Sequence, residues 1–168
     1  MNIKQRHFIR KNELNKLRED ISTQYDEIFS NIIIPRKSRV EIIITEDGDE
    51  LYAVNGQLSV WKSKENYLPV LTLLLSKTID LKAVTVDMGA VRFVTNGADI
   101  MKPGITNINP EIKKDDIIKI IDEKNNQTLA VGKAMFNAEI MEKKDKGKVI
   151  KNLHTIQDNV WKFIKNFK

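Results

Sequence analysis

The 168-residue chain carries 28 Lys and Arg against 23 Asp and Glu, a formal net charge of +5, and no cysteine, so disulfides and thiolate zinc sites are excluded and a cytoplasmic setting is expected. The length suits one domain or two small lobes, and two lobes, residues 1–77 and 78–168, are expected here. Charge breaks up the apolar residues of M-N-I-K-Q-R-H-F-I-R-K, and Pro69 and Thr72 interrupt the apolar run from Leu68 to Leu75, so neither stretch reads as a signal peptide or membrane span.

In chain order, Leu14, Leu17, Ile21 and Ile28 recur at helical spacing among charged residues and predict one amphipathic helix over about 10–30. Val40 to Thr45 is a β-branched strand, followed by a turn at D-G-D. Leu51 to Val54 and Gln57 to Lys62 flank Asn55-Gly56, a dipeptide suited to a type I′ hairpin turn because both positions tolerate positive φ. Pro69 fits the first turn of a helix running to about Lys77. Val84 to Val86 is a short strand, and Asp87 caps a short helix that carries Ala90, Phe93 and Val94 on one face and Arg92 on the other. Gly97 stops that helix, Asp99 to Lys102 is extended, and Pro103-Gly104 fits a type II turn. Asn107 to Glu111 is a loop, and Ile117 to Asp122 pairs with Thr128 to Asn137. Within the latter strand, Gly132 marks a bulge or a close backbone approach. Glu139 to Lys146 is a short helix, and Val149 to Thr155 and Val160 to Ile164 read as two closing strands. Several short strands with one helix inserted early make the second half a partly closed β-barrel.

Charge is uneven along the chain. Residues 1–39 hold nine Lys/Arg against five Asp/Glu, residues 40–80 three against seven, and residues 81–168 sixteen against eleven. A polyanion is expected to meet the two basic regions, with the acidic middle turned away from it or toward a basic protein. Catalytic groups are sparse. His7 and His154 lie far apart with no carboxylate at ligand spacing, and Gly89, Gly97 and Gly104 do not form a phosphate-binding loop, so no metal, nucleotide or other cofactor is expected. Asp115-Asp116 and Asp122-Glu123 flank a strand at turns, where capping roles are the expectation.

The order strand, D-x-G-A, short helix, x-G-A-x-I-M-x-P-G-I resembles the opening of a PUA domain, the small RNA-binding barrel of pseudouridine synthases and archaeosine transglycosylases. G-A-V-R-F-V-T-N-G-A-D-I-M-K-P-G-I-T, V-G-K-A-M-F-N-A-E-I-M and K-G-K-V-I-K-N-L-H-T-I-Q-D-N-V-W-K-F together resemble the malignant T-cell-amplified-sequence family of translation proteins. The resemblance spans about Lys82 to Phe163 and is weaker before Tyr67. The Ile- and Lys-rich composition is similar to that of a stand-alone archaeal member. The fold it implies is α+β, a pre-PUA α/β lobe followed by a PUA pseudo-barrel of mostly antiparallel strands.

PUA domains present the short helix and the following strand to RNA, so the resemblance implies an RNA surface over Met88 to Lys102, with Met88, Gly89, Arg92, Asn96, Gly97, Ala98 and Lys102 as candidates. Lys82 before the strand, and Lys151, His154 and Lys162 on the closing strands, are candidates to extend it, whereas Trp161 is expected in the core. The implied function is a non-catalytic RNA-binding protein acting in translation initiation or recycling through the small ribosomal subunit or initiator tRNA. The alternatives are a specificity subunit for an RNA-modifying enzyme and an adaptor that binds a protein through the pre-PUA lobe.

Overall fold

The computed structural model describes residues 1–168 and contains two sheets. The first is antiparallel, with β1 (Ile3–Phe8), β2 (Val40–Thr45), β3 (Glu50–Val54), β4 (Gln57–Ser63) and β5 (Asn66–Pro69) in sequential order. Asn55 and Gly56 have φ of 51° and 86°, the two left-handed positions that the hairpin between β3 and β4 requires. Helices α1 (Lys11–Gln24) and α2 (Glu27–Ile33) follow β1 and bury Leu17, Ile21, Phe29 and Ile33 against Val40, Tyr52, Val54, Val60 and Leu68. The single helix expected over 10–30 is therefore two. Asp26 interrupts it, because its carboxylate accepts from the Phe29 amide at 2.7 Å and caps α2.

Two further elements of this half differ from expectation. β1 reads as no strand in the sequence because all six of its residues are exposed on a sheet edge, leaving no alternation of burial to detect. Pro69 ends β5 opposite Val60 instead of opening a helix, and α3 (Leu71–Leu75) begins beyond it. An edge strand tolerates Pro because its missing amide hydrogen is not needed on the free side.

The second sheet comprises β6 (Ala83–Val86), β7 (Ile100–Met101), β8 (Ile105–Ile108), β9 (Ile117–Asp122), β10 (Thr128–Ala134) and β11 (Lys148–Thr155), in the order β7-β11-β10-β9-β6-β8. Only β6 and β9 pair in parallel. The sheet curls into a near-barrel over Val84, Val86, Ile118, Ile120, Ala130 and Ile150, with α4 (Val91–Thr95) and α5 (Ala138–Lys143) at its ends. Gly132 serves both roles expected of it. The β10–β11 register slips beside it, and a Cβ there would lie 2.7 Å from Ile150 Cγ2 and 2.8 Å from the Lys151 carbonyl.

Residues 105–108, which include part of the expected loop, form β8, paired with β6. Lys102–Gly104 is a 3₁₀ turn without positive φ at Gly104, not a type II turn; Gly104 is small because a Cβ would approach Ala90 Cβ at 3.2 Å. The expected strand over Val160 to Ile164 is a helix, α6 (Asn159–Asn166), capped by the Asp158 carboxylate accepting from Trp161 N–H at 2.7 Å. Val160, Phe163, Ile164 and Phe167 share one face of it, at the spacing of a helix and not a strand, and cover Ile43, Leu51, Ala53 and Leu58 on the outer face of the first sheet. The first sheet thus lies between α1/α2 and α6. Trp161 is partly buried against the core beneath α1.

Candidate nucleic-acid interface

The chain turns tightly after β6. Asp87 accepts from the Ala90 amide at 2.8 Å and caps a turn over 88–90, and the five-residue α4 follows it. Gly97, at φ 91°, closes α4: Ala98 N–H donates to Phe93 O and Gly97 N–H to Val94 O, both at 3.0 Å, a Schellman closure. Asn152 on β11 fastens this closure to the sheet. Its Nδ2 donates to Val94 O at 3.0 Å and Ala98 O at 2.9 Å, and its backbone amide donates to Asp99 Oδ1 at 2.8 Å. Asp99 also pairs with Lys148 at 2.7 Å. Partial burial alone would raise the Asp99 pKa, but the Lys148 and Asn152 hydrogen bonds and the charges of Lys148 and Lys151 outweigh it and hold the carboxyl below its usual range.

Only Val94 of α4 is buried. Phe93, expected to share its covered face, is 54% exposed, and the Arg92 guanidinium lies 4.9 Å from the centre of its ring. A five-residue helix has too narrow a contact with the sheet to cover two adjacent positions, so Arg92 and Phe93 form one cationic, aromatic surface. Met88 and Met101 are exposed on the flanking turn and strand, and Gly89, Asn96, Gly97 and Ala98 are open to solvent. A guanidinium can meet phosphate, an exposed ring can stack on a base, and a backbone without covering side chains admits a close approach. Phe93 and Asn152 are the residues that the sequence reading missed. Their only signals were an aromatic beside Arg in a very short helix, and an Asn inside a strand.

The remaining candidates, Lys151 apart, are placed elsewhere or already occupied. Lys82 Nζ pairs with Asp116 at 2.9 Å and donates to Glu111 O at 3.1 Å, away from α4. Lys102 Nζ donates to the carbonyls of Lys144 at 2.8 Å and Glu142 at 3.3 Å, so its ammonium holds the end of α5. Lys151 is exposed on β11.

His154 is not on the surface at all, being 1% exposed. Its Nε2 accepts from Leu71 N–H at 3.4 Å, its Nδ1 donates to Asp158 Oδ2 at 2.7 Å, and Trp61 meets its ring edge-on at 5.6 Å. It therefore joins β11 to the first half of the chain. Lys162 lies on α6, over the first sheet, and is separated from α4 by that change of element. Asp122, among the paired carboxylates, accepts from the amides of Lys124, Asn125 and Gln127 and caps the β9–β10 turn. No cluster of His, Cys, Asp or Glu has metal-site geometry, and no helix is long and apolar enough to cross a membrane.

Comparison with known proteins agrees with this architecture. Residues 82–156 match the PUA domain, and residues 5–77 match a domain of unknown function, DUF1947. The chain is 37% identical over 163 residues to uncharacterized protein MJ1432 of Methanocaldococcus jannaschii, covering 97% of this chain and 99% of that protein. It is 33% identical to translation machinery-associated protein 20 of Saccharomyces cerevisiae, over 88% of this chain and 86% of the relative. It is 35% identical to malignant T-cell-amplified sequence 1 of Rattus norvegicus, over 80% and 76%. The chain belongs to this PUA-domain family. A crystal structure of hypothetical protein PH0734.1 from Pyrococcus horikoshii superposes with a TM-score of 0.82 at 28% identity, covering 95% of this chain and 99% of that one. The second sheet with α4 and α5 is accordingly the PUA pseudo-barrel, and the first sheet with α1 and α2 is the pre-PUA lobe.

Proposed function

We propose that this family member is a non-catalytic, cytoplasmic RNA-binding protein that acts in translation, engaging the small ribosomal subunit or initiator tRNA through α4 of its PUA lobe. The observation that carries this reading is the exposed Arg92–Phe93 pair beside the uncovered backbone of Gly97 and Ala98. Together they offer the charge and the flat surface that an unstacked RNA segment requires. The yeast relative, named for the translation machinery, supports the choice of translation among the uses of PUA domains.

The test is titration of the intact chain against purified small ribosomal subunits and against initiator tRNA over a range of salt. A site neutralising about three phosphates gives a log-log slope of roughly −2. Phe93→Ala should weaken binding about tenfold, the usual loss when a base-stacking aromatic is removed. Arg92→Glu should weaken it further, with no loss of fold because neither side chain is in the core. Unchanged affinity for both RNAs in both variants would refute the α4 surface.

A further inference from the structure

We propose that the cleft between the lobes is a phosphodiester-binding groove, through which the RNA backbone leaving α4 reaches the β4–β5 hairpin of the pre-PUA lobe. The cleft encloses about 630 Å³, with Lys64 and Asn66 of that hairpin on one wall and Lys133, Lys148 and Lys151 of β10 and β11 on the other. Asp99, one residue beyond Ala98, also lines it, so the groove opens where the α4 surface ends.

The charges in the cleft are arranged unfavourably for the protein alone. Lys133 and Lys151 are directly opposed cross-strand partners, a position where like charges repel. Neither takes part in an ion pair, nor does Lys64, whereas Lys148 is committed to Asp99. Lys133 Nζ has only a 3.5 Å contact with Asn66 Oδ1, at the limit of a hydrogen bond. Against its four lysines the lining sets three carboxylates, of which Asp99 is taken by Lys148 and also feels the charge of Lys151, while Glu65 and Asp115 are paired with no lysine of the cleft.

Lys64 is held at the tip of the hairpin with φ 54°, a conformation uncommon for a residue other than Gly or Asn. Unpaired cations converging in a concave, partly enclosed site focus positive potential, and a phosphate between Lys133 and Lys151 turns their repulsion into two attractions. An extended RNA backbone suits the groove better than a compact anion, because its lysines lie on two lobes and its mouth adjoins a surface able to stack bases.

This inference rests on the RNA-binding reading above, and its test separates the two. The same two RNAs are titrated with Lys133→Gln/Lys151→Gln and with Lys64→Gln. At about 0.7 of slope per single-strand phosphate contact, the double variant, which empties the one phosphate position shared by the two lysines, should flatten the log-log salt dependence by roughly 0.7 and the hairpin variant by about another 0.7, the remainder being that of the α4 surface. Lys133→Arg/Lys151→Arg should retain the parent slope. The double Gln variant should melt no lower than the parent, since it removes a repulsion. If Phe93→Ala weakens binding while the Gln variants keep the parent slope, the groove is refuted and the α4 reading stands. If neither RNA binds the intact chain, both fall.

Discussion

Replacing His154 with Ala tests the joint between the lobes. The imidazole is buried, its Nε2 is the acceptor for the buried Leu71 amide, and its Nδ1 donates to Asp158. Truncation leaves the Leu71 N–H unpaired, at a cost of about 1–3 kcal/mol. The void left beside Trp61 and Leu71 adds about 2 kcal/mol, the lower end for large-to-small core changes. Asp158 is not left bare, because the Thr155 and Trp161 amides still donate to it at 2.9 and 2.7 Å. The net loss is then about 3–5 kcal/mol. For a chain of 168 residues, at about 2–4 °C per kcal/mol, that lowers the melting temperature by roughly 10 °C. Thermal and urea unfolding followed by circular dichroism measure it directly. A melt within about 2 °C of the parent would refute the packing. An unchanged melt with weakened RNA binding would return His154 to the surface, where alternation along the strand allows it.

Gly132→Ala places a methyl 2.7 Å from Ile150 and 2.8 Å from a backbone carbonyl, so the same unfolding assays should show a loss of about 1–3 kcal/mol from overpacking. Burial raises the hydroxyl pKa values of Tyr25, Tyr52 and Tyr67, that of Tyr67 to about 12 with Asp20 adding to the rise. A raised folded-state pKa contributes stability that is fully present below the ordinary tyrosine value near pH 10 and is lost as pH climbs through about 12. Melting temperature should therefore fall across that alkaline range and fall less in Tyr67→Phe; equal slopes for the two proteins would refute the coupling.

Local geometry was the legible part of this chain. Asn55-Gly56 and Gly97 sit at positive φ because few other residues tolerate it, and the demand is visible in residue type alone. Gly132 was legible for the related reason that a close approach excludes any Cβ. Features set by distant partners were not. V-W-K-F-I is too short to distinguish a strand from a helix by periodicity, and α6 is decided by the apolar outer face of the first sheet. Lys82 and Lys102 look like free cations in sequence, yet each is captured by carbonyls or a carboxylate at least 29 residues away. Helical spacing alone puts Phe93 beside Val94 on a covered face, and only the narrow contact under α4 makes that face a single residue wide.

The candidate surfaces are tied together by one strand. Within five residues of β11, Lys151 faces the cleft, Asn152 holds the end of α4 through Val94 and Ala98, and His154 fixes the strand to Leu71 of the pre-PUA lobe. The register slip opposite Gly132 leaves Leu153 unpaired between Asn152 and His154, so the strand changes course where it passes from one task to the next. A rigid joint matters because the two walls of the cleft come from different lobes, and a hinge there would let the Lys64 hairpin drift from Lys133 and Lys151. His154, oriented by Asp158, ties β11 to Leu71 of the pre-PUA lobe, and in the proposed groove that tie would let an RNA backbone meet both walls without first bringing them together. Preorganisation of that kind would spare part of the entropy cost of binding, which is what the proposed surface, with few cations, requires.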